Sequence, residues 1–145
     1  EIGSGLVGSE MCIRDRVNRA HIAAIGIAPA YARAPGGQWQ RMGSYGVGWP
    51  LIQWTAEAQD WSGGDQGPDA YRTANTIAAS TKDGGIILMH DMKINSAKAT
   101  EMFIPKLEER GFMLLTVDEL FAKDGVTLEA NQAYWRCLDG VTTQY

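Results

Sequence analysis

The sequence predicts an α/β fold in which parallel strands alternate with helices, and three observations carry that prediction. Residues 85–89 are apolar throughout, as a strand covered on both faces of a parallel sheet must be. Residues 70–78 and 96–107 place their apolar side chains at helical spacing. Strand-like runs at 51–55 and 112–116 complete the order strand, helix, strand, helix, strand, helix, which implies βαβ units and a parallel sheet.

Taken in order, residues 6–16 resemble one reading frame of a transposon-type sequencing adapter. Gly3, Gly5 and Gly8 fall in a stretch with neither strand nor helix period, and no long apolar core follows a basic start as in a signal peptide. The expectation is an artefactual or disordered segment over 1–16, a domain over 17–123 and a tail over 124–145. Residues 17–25 read as the end of a helix, with Gly26 just past it. An extended stretch to Ala34 is turned by Pro35-Gly36-Gly37, and a short helix entered at Trp39 precedes the strand at 51–55.

A glycine-rich loop over 62–67 follows. Pro68 then sits where a first helical position tolerates proline, and Asp69 suits the first turn. Ala70, Tyr71, Ala74, Ile77 and Ala78 give that helix one apolar face. The next helix spans 96–110, with Ala99, Met102, Phe103 and Leu107 on its buried stripe and Gly111 as its end. Pro105 inside it predicts a kink or a second helical segment. A third strand over 112–116 and a short helix from Val117 close the pattern.

Bulk properties exclude several classes. The 145 residues are 45% hydrophobic, enough for one ordinary core. A net charge of -4 without a basic run argues against nucleic acid or an anionic membrane as the main partner. No apolar run approaches the roughly 18–20 residues of a membrane span. Cys12 and Cys137 have no metal-ligand spacing, and Cys137 reads as a bland apolar residue.

Chemistry is expected at strand tips, where parallel α/β proteins place it. His90 and Asp91 end the 85–89 strand, Asp60-Trp61 follows the 51–55 strand, and Arg33 precedes the Pro35 turn. A histidine titrating near about 6.5 can serve as acid or base at neutral pH. A carboxylate on one of its ring nitrogens fixes the tautomer and favours the protonated ring. His21 stands alone without a partner one turn away and reads as an ordinary helix residue. Asp91, Asp118 and Glu119 read as caps or solvated charges.

In order, Arg33-Ala34-Pro35-Gly36-Gly37, Asp60-Trp61 and Leu88-Met89-His90-Asp91 resemble the later motifs of the polysaccharide deacetylases, the NodB-homology family of metal-dependent carbohydrate esterases. The resemblance covers about residues 20–121. It implies the C-terminal half of a (β/α) deacetylase-type barrel, since an intact barrel needs more than about 200 residues. It also implies removal of acetyl groups from a polysaccharide such as peptidoglycan or a chitin-like polymer, outside the cell or in its envelope. His90 would protonate the leaving amine, Asp60 would orient it, and Arg33 would orient a base aspartate. Trp61 and Leu88 would line the acetyl pocket, and the Gly36 amide would stabilise the oxyanion.

The chain departs from the family at Gly36, usually tyrosine, and at Glu57, where an aspartate often stands. The family's divalent metal, zinc or similar, is held by an Asp-Asp motif and a His-x-x-x-His motif, and neither pattern occurs here. No metal ligand is therefore assigned, and a fragment without activity or tight metal binding is expected. The competing expectation is a non-catalytic glycan-binding module with Trp39, Trp54 and Trp61 as stacking surfaces. An Asp60–His90 pairing discriminates the two, because a binding module has no need of it.

Overall fold

The structure is a computed structural model that describes residues 20–44 and 46–142, so the segment 1–16 lies outside the described residues. The chain divides into two compact units, one formed by residues up to Ile52 with Glu129–Ala133, the other by Gln53–Leu128 with the residues from Tyr134 on.

In the first unit a helical turn at 20–24 ends ahead of Gly26, whose φ of 74° is the left-handed value expected after a helix. Ala32 then forms a parallel bridge with Leu51. A 3-10 turn over Pro35–Gly37 and helix α1, Trp39–Ser44, lead to strand β1, Leu51–Ile52. The Leu51 N–H donates to the Gln132 carbonyl at 2.7 Å, so strand-like pairing reaches residues far along the chain. Asn131 holds that return in place. Its side-chain oxygen accepts the Gly48 N–H at 2.7 Å, and its own N–H donates to the Trp49 carbonyl at 2.9 Å.

The second unit carries the βαβ pattern. Ala56 and Ile87 form a parallel bridge, with the Thr55 N–H on the Ile86 carbonyl at 2.9 Å and the Leu88 N–H on the Ala56 carbonyl at 2.9 Å. Helix α2, Ala70–Ser80, connects these two segments. Asp69 caps it by accepting the Arg72 N–H at 2.8 Å, so Pro68 precedes the cap rather than occupying the first helical position. Helix α3, Ile94–Glu109, follows the second segment.

Ala70, Ala74, Ile77 and Ala78 of α2 meet Ala99, Phe103 and Leu107 of α3 in one buried cluster, and Ala58, Ile87 and Met89 pack onto it. The two helices thus cover one face of the parallel segments. Along 86–90 side chains alternate between faces. Ile87 and Met89 serve the helix side.

Further expectations need correction, first Tyr71, which is 64% exposed because the buried face of α2 runs through Ala70, Thr73, Ala74, Ile77 and Ala78. Met102 is 42% exposed, because the stripe Ser96, Ala99, Phe103, Leu107 faces α2 and Met102 lies beyond its edge. Of the two outcomes expected at Pro105, a second helical segment does not occur, since α3 is continuous through it. Pro105 and Glu101 are both exposed, so water can replace the donor that the Glu101 carbonyl loses. Residues 112–116 are not a strand: apart from the Phe112 N–H, which closes α3 on the Leu107 carbonyl, no backbone ladder forms there among the described residues. That stretch instead walls a cavity of about 720 Å³ shared with residues 81–87 and Cys137.

Beyond it, helix α4, Val117–Lys123, opens with a reciprocal capping box between Thr116 and Glu119. Strand β2, Ala133–Tyr134, pairs with β1, and strands β3, Cys137–Leu138, and β4, Val141–Thr142, form an antiparallel hairpin. Gly84 makes the hairpin's approach possible. Its φ is 68°, its carbonyl accepts the Cys137 N–H at 2.9 Å, and a Cβ there would lie 2.0 Å from the Cys137 carbonyl oxygen.

Candidate active site

The backbone aims Asp60 inwards by an unusual conformation one residue earlier. Gln59 has φ of 52°, a left-handed value that costs a non-glycine residue about 1–2 kcal/mol. The bend closes with the Ser62 N–H on the Gln59 carbonyl at 2.9 Å. Strain of this kind persists where the surroundings fix it, and here it leaves the Asp60 side chain only 2% exposed.

The partner is His90. Its Nδ1–H donates to Asp60 Oδ1 at 2.9 Å, and its backbone N–H donates to Oδ2 at 2.7 Å. One residue therefore occupies both carboxylate oxygens, which fixes the ring's position as well as its tautomer. With Nδ1 engaged, Nε2 is the ring nitrogen left to meet a substrate, and the side chain is 18% exposed. Burial works against charge on Asp60. The His90 ring bond, the Ser96 hydroxyl, the His90 N–H and the field of the ring outweigh it and hold the carboxyl below the ordinary aspartate value.

The loop after Asp60 is stitched to the start of α3. Lys93 Nζ donates to the Gly64 carbonyl at 3.1 Å, and the Asn95 N–H donates to the Gln66 carbonyl at 3.2 Å. Gly67, with φ of 81°, makes the junction. A Cβ there would sit 3.1 Å from Lys93 Cβ and 3.2 Å from the Asp60 carbonyl oxygen.

The structure thus brings together Asp60 and His90. Leu88 is buried, whereas Trp61, next to Asp60, is 51% exposed. Arg33 and Gly36 belong to the first unit. Arg33 is exposed, and the Gly36 N–H has no hydrogen-bond partner among the described residues. His21 is an exposed helical residue, as expected. Glu57 accepts the Trp54 indole N–H at 2.5 Å, so both are occupied with each other.

Cys137 is buried and its thiol is pushed up by burial and by the Asp124 carboxylate, which disfavours a nucleophilic thiolate. Sequence reasoning passed over Ser96. A small polar residue on the otherwise apolar α3 stripe was the available signal. Among the described residues no group of three His, Cys, Asp or Glu side chains converges, and Asp60 and His90 are bonded to each other.

No protein-family model matches the chain. Among curated proteins it is similar to the peptidoglycan-N-acetylglucosamine deacetylase PgdA of Listeria monocytogenes serotype 1/2a, at 29% identity over 124 residues. That alignment covers 83% of this chain and 24% of the Listeria protein. It is also similar to a bifunctional xylanase/deacetylase of Pseudobutyrivibrio xylanivorans, at 34% identity over 88 residues, 59% of this chain and 14% of that protein. The chain therefore spans a quarter or less of the curated relatives it matches. Among solved structures, a T48 deacetylase with substrate superposes with a TM-score of 0.63 at 32% identity, over 75% of this chain and 52% of that one. These likenesses support a partial polysaccharide deacetylase region of the NodB type.

Proposed function

We propose that this chain supplies the acid half of an enzyme that hydrolyses acetyl groups from a polysaccharide, peptidoglycan or a chitin-like polymer, at the cell envelope or outside the cell. The observation that carries the reading is the double hold of Asp60 on His90, at 2.9 Å to the ring and 2.7 Å to the backbone. Amide hydrolysis ends when a tetrahedral carbon expels an amine, and the amine leaves only with a proton. His90 in its imidazolium form would deliver that proton from Nε2, and the buried Asp60 carboxylate would stabilise the cation. Leu88 and Trp61 would wall the acetyl group, Arg33 would orient a base carboxylate, and the Gly36 N–H, unspent among the described residues, would meet the oxyanion.

The same reading has this region act as part of a deacetylase-type (β/α) barrel, with a metal held by residues outside those described. When bound, a divalent metal activates water and polarises the acetyl carbonyl. On its own the 145-residue chain is expected to bind zinc weakly and to release no acetate from N-acetylated oligosaccharides. Sub-micromolar stoichiometric zinc binding by calorimetry would overturn that part. The genomic sequence of the source locus tests the whole: an in-frame Asp-Asp motif and His-x-x-x-His motif ahead of Val17 are expected. An upstream frame without them would remove the proposal's second half.

The glycan-binding alternative is less well supported. Trp54 is half-buried with its indole N–H on Glu57, and the Asp60–His90 pair has no purpose in a passive binding surface.

A further inference from the structure

Ser96, in the first turn of α3, is 2% exposed, and its Oγ is buried with no hydrogen-bond partner of normal geometry among the described residues. A buried hydroxyl left unpaired costs about 1–3 kcal/mol, so a buried serine on an apolar stripe calls for an acceptor. The helix could use alanine here, as it does one turn later at Ala99. The stitched junction of Gly67, Lys93 and the Asp60 carbonyl brings this turn up against Asp60. Ser96 is among the groups that hold the Asp60 carboxyl below its ordinary value, yet its hydroxyl forms no hydrogen bond among the described residues. The hydrogen bonds to that carboxylate come from His90, the charged partner beside it.

We propose that Ser96 is a positioning residue of the deacetylase site, whose hydroxyl rotates to donate to the Asp60 carboxylate and fixes the group that orients His90. An ionised carboxylate accepts at about four lone-pair positions. His90 takes one on each oxygen, and a third donor from a rigid helix would stop the carboxylate from turning when the ring changes charge. The role rests on the deacetylase reading for its purpose, but not for its test.

The experiment is NMR on the 145-residue chain, following the Asp60 side-chain carboxyl carbon through acid titration and the His90 ring nitrogens at neutral pH. Ser96→Ala should move the Asp60 midpoint upwards and reduce the preference for the Nδ1–H tautomer, while Ser96→Thr should keep wild-type values. An Asp60 midpoint unchanged in folded Ser96→Ala overturns the role. Should Ser96→Ala fail to fold, Ser96→Cys, a weak donor of similar size, gives the same reading: a raised midpoint supports the proposal and a wild-type midpoint refutes it. None of these readouts depends on acetate release, so failure of the deacetylase reading would leave the Ser96 result standing, and the reverse.

Discussion

Gly84→Ala should separate steric from conformational cost at the head of the segment that delivers His90. The substitution places a methyl group 2.0 Å from the Cys137 carbonyl oxygen, 2.8 Å from its carbon and 2.9 Å from Leu138 Cβ. Two of these three atoms are backbone, and they cannot retreat freely, since the Cys137 N–H is bonded to Gly84 and Gly85 bridges Arg136. An alanine at φ of 68° costs about 1–2 kcal/mol, and overpacking a fixed contact adds about 1–3 kcal/mol. The total of about 2–5 kcal/mol is a large part of the roughly 5–15 kcal/mol that holds a domain together.

Gly125→Ala is the control. Gly125 has φ of 66°, and a methyl group added there meets nothing within 4 Å, so only the conformational cost applies. Both substitutions stiffen the unfolded chain alike, and that offset cancels in the difference. Urea unfolding followed by far-ultraviolet circular dichroism should show Gly84→Ala less stable than Gly125→Ala by about 1–3 kcal/mol at similar slope. Equal midpoints would refute the close approach of the hairpin to Gly84.

Two further outcomes follow from the same structure. The Asp60 carboxyl is held below its ordinary value of 3.8, so its ionised form stabilises the fold above that value and the contribution disappears as pH falls through the depressed value. Acid titration of stability should show a steeper loss below about pH 4 in the wild type than in Asp60→Asn, and parallel curves would contradict the bonded pair. Thr116→Ala removes the hydroxyl that accepts the Glu119 N–H and half of the α4 capping box, and should cost about 1 kcal/mol in urea unfolding. No loss there would mean that the cap is dispensable.

How much was legible in the sequence depended on whether a signal was local. Most of the α2 and α3 faces follow from spacing, so Ala74, Ile77, Ala99, Phe103 and Leu107 are buried as read, whereas Tyr71 and Met102 at the edges of the faces are exposed. The Asp60–His90 pair was legible because both residues end strand-like runs whose tips a parallel arrangement brings side by side. Residues 112–116 have strand character, but a strand exists only with a partner, and no ladder reaches them among the described residues. Met113, 71% exposed, shows how little that apolar run is covered. The left-handed Gln59 has no sequence signature, since the surrounding contacts rather than glutamine impose it. Ser96 was missed because the helix was expected to start there, whereas it begins at Ile94 and turns Ser96 inwards.

The most direct test of the acid-pair assignment is acetate release from an N-acetylated oligosaccharide by the longer protein that contains this region, with His90→Ala compared against wild type. A positioned general acid is worth roughly 10²–10⁴-fold, so turnover should fall by that factor while the Michaelis constant changes little. Turnover that survives the substitution, or a loss confined to substrate binding, would contradict the assignment of Asp60 and His90 as the acid pair.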